Sequence, residues 1–164
     1  MPTDVLTLAE LSIGDVTKLL ARYQLKLHLI EIGQIIPGSF WGDSEAGIIT
    51  QNVYARPDTP IHSLLHESCH IICMDSECRQ KLHTDAEGDF SEEDAVCYLQ
   101  ILLAEHLPGF GEARALADMD SWGYTFRLGS SKRWFEEDAE DARQWLSNHH
   151  LIDQYGHPTY CLRQ

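Results

Sequence analysis

The stretch Thr59-Pro60-Ile61-His62-Ser63-Leu64-Leu65-His66-Glu67-Ser68-Cys69-His70-Ile71-Ile72-Cys73-Met74 divides the chain in character. Alternating and β-branched segments lie before it, and helical spacing follows. Thr59 reads as an N-cap and Pro60 as the first helical residue. A helix is therefore predicted from Ile61 to about Met74, with Leu65, Cys69 and Ile72 on one side. Within it stands His66-Glu67-Ser68-Cys69-His70. Histidines at i and i+4 lie one turn apart on one face, so their imidazoles can converge on a single ion. Zinc suits two neutral imidazoles, a third protein ligand and an open position for water. Glu67 is placed to act on that water as general base and then to pass the proton to a leaving amine. The metal would lower the water's pKa toward about 7 and polarise a carbonyl. A motif of the form H-E-x-x-H arises by chance only about 0.04 times in a chain of this length and composition. The competing reading is a surface helix with two stray histidines, but the apolar pairs Leu64-Leu65 and Ile71-Ile72 flank the motif.

A third ligand is expected from the next helix. The extended form H-E-x-x-H-x-x-G-x-x-H is absent, because position 73 is Cys and position 76 is Ser. Ser91 reads as an N-cap with Asp94 completing a variant capping box, and Ala95, Leu99, Leu102 and Leu103 follow at helical spacing. A carboxylate there completes a His₂Glu set. The inward stripe through Ala95, Leu99 and Leu102 favours Glu92, whereas Glu93 shares a wetter face with Cys97 and Gln100. Glu93, His83 and Asp85 stay open as alternatives, and acidic residues in a first turn also simply complement the helix dipole. Cys73, at i+7 from His66, reads as a buried thiol more readily than as a thiolate ligand. Cys69 is a weak candidate nucleophile. Tyr124, His149, His150 and His157 are possible donors to a developing oxyanion. The four tryptophans, Trp41, Trp122, Trp134 and Trp145, read as core or groove aromatics.

His66-Glu67-x-x-His70 followed by Glu92-x-x-Ala95 resembles the gluzincin metallopeptidases, in which a Glu of an E-x-x-A-type helix is the third zinc ligand. The run Glu92-Glu93-Asp94-Ala95-Val96-Cys97-Tyr98-Leu99 is similar to the second motif of small ImmA/IrrE-like proteases. The similarity covers about residues 47–108, with Cys69 where those proteases commonly have Gly, and Asp94 and Val96 departing from their pattern. It implies a zincin-like domain in which a strand over residues 47–54 is the edge on which a peptide is laid.

Outward from this centre, residues 15–23 have helical spacing and residues 25–32 alternate like a half-buried strand. Pro37-Gly38 marks a turn before Ser39-Phe40-Trp41-Gly42, and residues 48–54 read as a further strand. Helices are expected near residues 112–118 and 135–148. Three strands followed by helices predict an α+β fold, with a short mixed or antiparallel sheet packed on the motif helix and further helices. At 164 residues the chain is read as one domain over 1–164.

Twelve Lys+Arg against 26 Asp+Glu give a net charge of −14. That excludes a phosphate-tracking surface and disfavours anionic membranes, so neither nucleic acid nor membrane is an expected partner. If the charge extends around the cleft, cationic peptide segments are favoured. The nine histidines are roughly twice the usual share. Five cysteines without a C-x-x-C unit, and no signal-like N-terminus, point to free thiols and a cytoplasmic setting. The leading expectation is a zinc metallopeptidase acting on a peptide or protein, with His66, His70 and Glu92 on Zn²⁺ and Glu67 as base. Its rival is a catalytically idle zinc-binding regulatory or interaction module, with Cys73 or His83 closing the site as a fourth ligand.

Overall fold

Extended segments come first and helices afterwards, as the periodicity predicts. The computed structural model describes residues 5–39, 43–84, 90–124, 126 and 129–164. The expected extended piece at Phe40-Trp41-Gly42 and the candidate ligand Asp85 lie outside those residues. The described elements are helix α1 (Ile13–Arg22), strands β1 (Lys26–Leu29), β2 (Gly47–Ile49) and β3 (Asn52–Ala55), then helices α2 (Ile61–Cys73), α3 (Ser76–Lys81), α4 (Phe90–Ala104), α5 (Gly111–Trp122), α6 (Ser131–Glu137) and α7 (Glu140–Asn148). The fold is α+β.

The sheet is mixed, in the order β1-β3-β2. β1 runs parallel to β3, with Leu27 beside Val53, and β2 is antiparallel to β3, with Ile48 beside Val53. The single strand expected over residues 48–54 is thus a hairpin. Thr50 turns the chain with φ 52, and the Asn52 side-chain amide holds the turn by donating to the Ile49 carbonyl and the Thr50 hydroxyl, both at 3.1 Å. A β-branched residue in the left-handed region is no standard turn signal, so the sequence reads straight through it. The outer edge of β2 is occupied. The Ile48 N–H donates to the Gly38 carbonyl at 3.1 Å, and the Ile48 carbonyl accepts from Thr84 at 3.0 Å. The chain crosses itself here so closely that a Cβ on Gly38 or Gly47 would meet backbone atoms. The open edge that the resemblance implies for a peptide is therefore already covered at Ile48.

Helix α2 is wedged between the sheet and α4. Eleven of its thirteen residues are buried, and the two that are not are His66 and Glu67. Full burial of Ile61, Leu64, Leu65, Ile71 and Ile72 is worth roughly 1.5–3 kcal/mol each, so packing rather than capping fixes this helix. Pro60 occupies the N-cap position without a side-chain bond. The Thr59 hydroxyl instead accepts from the Arg56 N–H at 2.9 Å, which corrects its expected role as cap. At the other end, buried Arg79 donates to the carbonyls of Ile71 (2.9 Å), Met74 (2.6 Å) and Arg163 (2.7 Å).

Helix α4 begins at Phe90, so Ser91 lies within it rather than capping it. It is buried nearly all round, through Ala95, Val96, Cys97, Leu99, Gln100, Ile101 and Leu103. The helix expected at residues 112–118 extends to Trp122, where Gly123 (φ 98) closes α5 in a left-handed cap. The helix expected at 135–148 is broken into α6 and α7 at Asp138-Ala139, and Ser130 caps α6 by accepting from the Arg133 N–H. Buried side chains from Leu6 to Ile152 form one core cluster. No helix among the described residues is long and apolar enough to cross a membrane.

Candidate metal centre

Because α4 crosses behind α2, residues at i, i+4 and i+7 of one α4 face meet the histidines of α2. Those residues are Glu93, Cys97 and Gln100. One Glu93 oxygen lies 3.0 Å from His66 Nε2 and the other 3.1 Å from His70 Nε2, and the two Nε2 atoms are 3.2 Å apart. Among the described residues, His66, His70 and Glu93 are the group whose donor atoms converge closely enough to hold a metal ion. Ligand atoms around a tetrahedral ion with bonds of about 2.0–2.1 Å stand about 3.4 Å apart. The observed spacings fit that with a small outward adjustment.

This corrects the expectation for the third ligand. Glu92 is buried, as its stripe predicts, but its carboxylate accepts from Arg163 at 3.0 Å beside the C-terminal end of α2. Glu93 belongs to the polar stripe, and that stripe is the one aimed at the histidines. His83 stands apart, exposed, with Nδ1 2.7 Å from the Thr84 hydroxyl. Cys73 is fully buried outside the group, and burial, reinforced by its neighbours Cys69 and Glu92, pushes its thiol well up. Cys69 is likewise pushed up by burial and holds its proton. All five cysteines are free thiols.

Hydrogen bonds orient the ligands from behind. His66 Nδ1 donates to Gln100 Oε1 at 2.7 Å, which leaves Nε2 facing Glu93 and His70. Buried Gln100 is held in turn, since its Nε2 donates to the His62 carbonyl at 3.2 Å. Burial works against a charge on His66, yet Tyr124, Cys97 and Glu93 together hold its pKa well above the usual range. Burial likewise opposes a charged Glu93, but its hydrogen bonds to His66 and His70 win and pull its carboxyl far down. The buried His70 Nδ1 has no partner among the described residues.

Beside the group opens a cavity of about 200 Å³. Its floor is the solvent-facing part of α2, with His62, Ser63, His66 and Glu67. Trp122 and Tyr124 form one wall, delivered by the Gly123 turn, and Glu45 forms the other from the approach to β2. The Ala46 N–H donates to Ser63 Oγ at 3.1 Å, tying the Glu45 segment to α2. Burial raises the pKa of Glu67 against the pull of His66 and His70, and Glu93 adds to the rise. Burial also raises that of Glu45, with Glu67 repelling it. Burial keeps the Tyr124 phenol protonated, its pKa pushed up to about 12.

Sequence reasoning passed over His62, one turn before His66 on the same face. Its repeat at i, i+4 and i+8 with His66 and His70 was the available signal. His62 is 1% exposed, and burial lowers its pKa to about 3. Its Nδ1 is 3.2 Å from the Tyr124 hydroxyl. Of the four proposed oxyanion donors, Tyr124 alone lines this cavity. His149 packs on Trp145, His150 is exposed, and exposed His157 faces Asp153 at 3.8 Å. Of the tryptophans, Trp122 lines the cavity, Trp134 is core, Trp145 lies under Arg163, and Trp41 is outside the described residues. Set against family models, curated proteins and solved structures, the chain matches none.

Proposed function

We propose that the protein is a zinc-dependent metallopeptidase whose centre is His66, His70 and Glu93, with Glu67 as general base. The observation that carries this reading is the convergence of two Nε2 atoms and a carboxylate within 3.2 Å of their nearest partners, directly beside a cavity that Glu67 lines. Two imidazoles and one carboxylate, with no fourth protein donor among the described residues, is the ligand set of catalytic rather than structural zinc. When bound, zinc supplies a Lewis acid for a carbonyl and acidifies a water. The chain's own residues do the rest. Gln100 fixes the His66 ring. Glu67, its pKa raised by burial, takes a proton from water and returns it to the departing amine. Tyr124, a phenol that keeps its proton, donates to the developing oxyanion.

Glu67→Gln keeps the side chain's size and removes the base. The expected result is one zinc per chain, as in the wild type, with peptide hydrolysis lowered at least a thousandfold (roughly 4 kcal/mol of barrier). Hydrolysis that persists in a zinc-loaded Glu67→Gln protein overturns the mechanism.

One observation favours the rival reading of a zinc-binding module without turnover: the edge of β2 is covered at Ile48 by Gly38 and Thr84. A substrate must then enter through the cavity between Glu45 and Tyr124 rather than by adding a strand. Wild-type protein that carries zinc yet cleaves no peptide in a broad library supports the module.

A further inference from the structure

Among the carboxylates of the described residues, Glu45 and Glu67 stand out. Asp58 receives Arg56, Asp118 receives Arg114 and the Leu6 N–H, Glu92 receives Arg163, and Glu93 receives the histidines. Glu45 and Glu67 have no hydrogen-bond donor among the described residues, although both are partly buried and line the same cavity. A base that must receive water explains an unpartnered Glu67. It does not explain Glu45, which is held beside it by the Ala46–Ser63 bond. The rings of Trp122 and Tyr124 line the same cavity, and aromatic rings together with a carboxylate suit a cation. A second, independent mark lies on the same lining. His62 is 99% buried, and its Nε2 has no partner among the described residues. In the tautomer whose Nδ1–H donates to the Tyr124 hydroxyl, the neutral ring presents Nε2 as an acceptor. On this lining Glu45, Glu67 and His62 Nε2 are therefore acceptors with no hydrogen-bond donor among the described residues.

We propose that Glu45, the Trp122 and Tyr124 rings and His62 Nε2 form a subsite for a substrate cation, an ammonium or guanidinium group placed next to the scissile bond. The proposal rests on the hydrolytic reading for the words "scissile bond", but the subsite itself does not need turnover. A cationic group takes the Glu45 charge and leaves Glu67 to the water. The cation can be the α-amine of a peptide's first residue or the side chain of a Lys or Arg, and the chemistry is shared.

The test measures binding to the zinc-loaded full chain by titration calorimetry, with three probes: alaninamide, Nα-acetyl-lysinamide and neutral Nα-acetyl-norleucinamide. At least one cationic probe is expected to bind tenfold or more tightly than the neutral one, and Glu45→Gln is expected to lose that preference. Preference for alaninamide assigns the subsite to an α-amine, and preference for the lysine probe assigns it to a basic side chain. Glu45→Lys, which repels cations outright, serves as the second variant, and circular dichroism and zinc content confirm that each variant is folded. Equal binding of the cationic and neutral probes, or a preference that survives Glu45→Gln, overturns the subsite. Failure of hydrolysis with Glu45-dependent binding intact overturns the peptidase reading alone.

Discussion

Glu92 and Glu93 are neighbours in sequence, yet they serve two regions that differ in how fully their polar atoms are matched. Around Glu92, at the C-terminal end of α2, the charged side chains and the helix's last carbonyls are paired within the chain. Arg163 reaches both Glu92 and the Cys73 carbonyl, its backbone N–H reaches Ile72, and Arg79 takes the carbonyls of Ile71, Met74 and Arg163. Among the described residues around Glu93, the buried His70 Nδ1 and His62 Nε2 have no partner, and Glu45 and Glu67 receive no donor. Buried polar groups are normally satisfied. A region that satisfies its own groups is a clamp, and one that leaves them open on a cavity is prepared for something the chain does not itself supply.

The largest effect should come from exchanging the two carboxylates' roles. Glu93→Gln removes an anionic ligand and is expected to weaken zinc binding at least about a hundredfold, beyond the range of orienting residues. Glu92→Gln should leave zinc affinity within a few-fold and lower the melting temperature instead. Competition against a chelator of known affinity, with a thermal melt on the same samples, separates the two. Zinc loss in Glu92→Gln without any change in melting temperature would reverse the assignment.

How much of this was legible in the sequence follows from the same two residues. The motif helix and its histidines could be read, because spacing along a single helix is local information. The choice between Glu92 and Glu93 depends on how α4 crosses α2, and burial around most of α4 removes the amphipathic stripe that would report it. In a helix dry on both sides, the polar residues Glu93 and Gln100 mark the functional face, so wetness was the informative signal. The hairpin was hidden for a different reason. Its turn at Thr50 is held by the Asn52 side chain and by Leu82, neither of which is a local turn signal. The Arg79 and Arg163 clamp links positions 84 residues apart, which no periodicity reports.

That clamp gives the next largest effect, on stability and not on metal. Arg79→Ala leaves several buried carbonyls without a donor, at a cost of about 3 kcal/mol, or about 6–12 °C in melting temperature for a chain of this size. Zinc stoichiometry below the melt should be unchanged. A stoichiometric loss of zinc in folded Arg79→Ala would mean that the two regions are coupled along α2 and that the contrast between them is too sharp.

Gln100→Leu probes the metal region from behind. The change preserves apolar packing and removes the acceptor of His66 Nδ1–H and the donor to the His62 carbonyl. Loss of such a partner costs about 10–100-fold in metal affinity. An unchanged affinity would show that packing alone orients His66.

The smallest effect tests the cavity wall. Gly123 adopts φ 98, and its turn sends Tyr124 back so that the Tyr124 N–H donates to the Met119 carbonyl at 3.0 Å. Nothing lies within 4 Å of the place a Cβ would occupy, so Gly123→Ala meets strain and not a clash. The left-handed conformation costs an alanine about 1 kcal/mol, or about 2–4 °C in melting temperature. No ligand comes from α5, so zinc content should be untouched. If Tyr124 donates to the oxyanion, any shift of the turn misplaces that donor, and kcat should fall severalfold while KM for a neutral peptide changes less. A variant that loses the few degrees and keeps kcat would assign Gly123 and Tyr124 to packing, and leave the open acceptors on α2 and Glu45 as the whole of the functional surface.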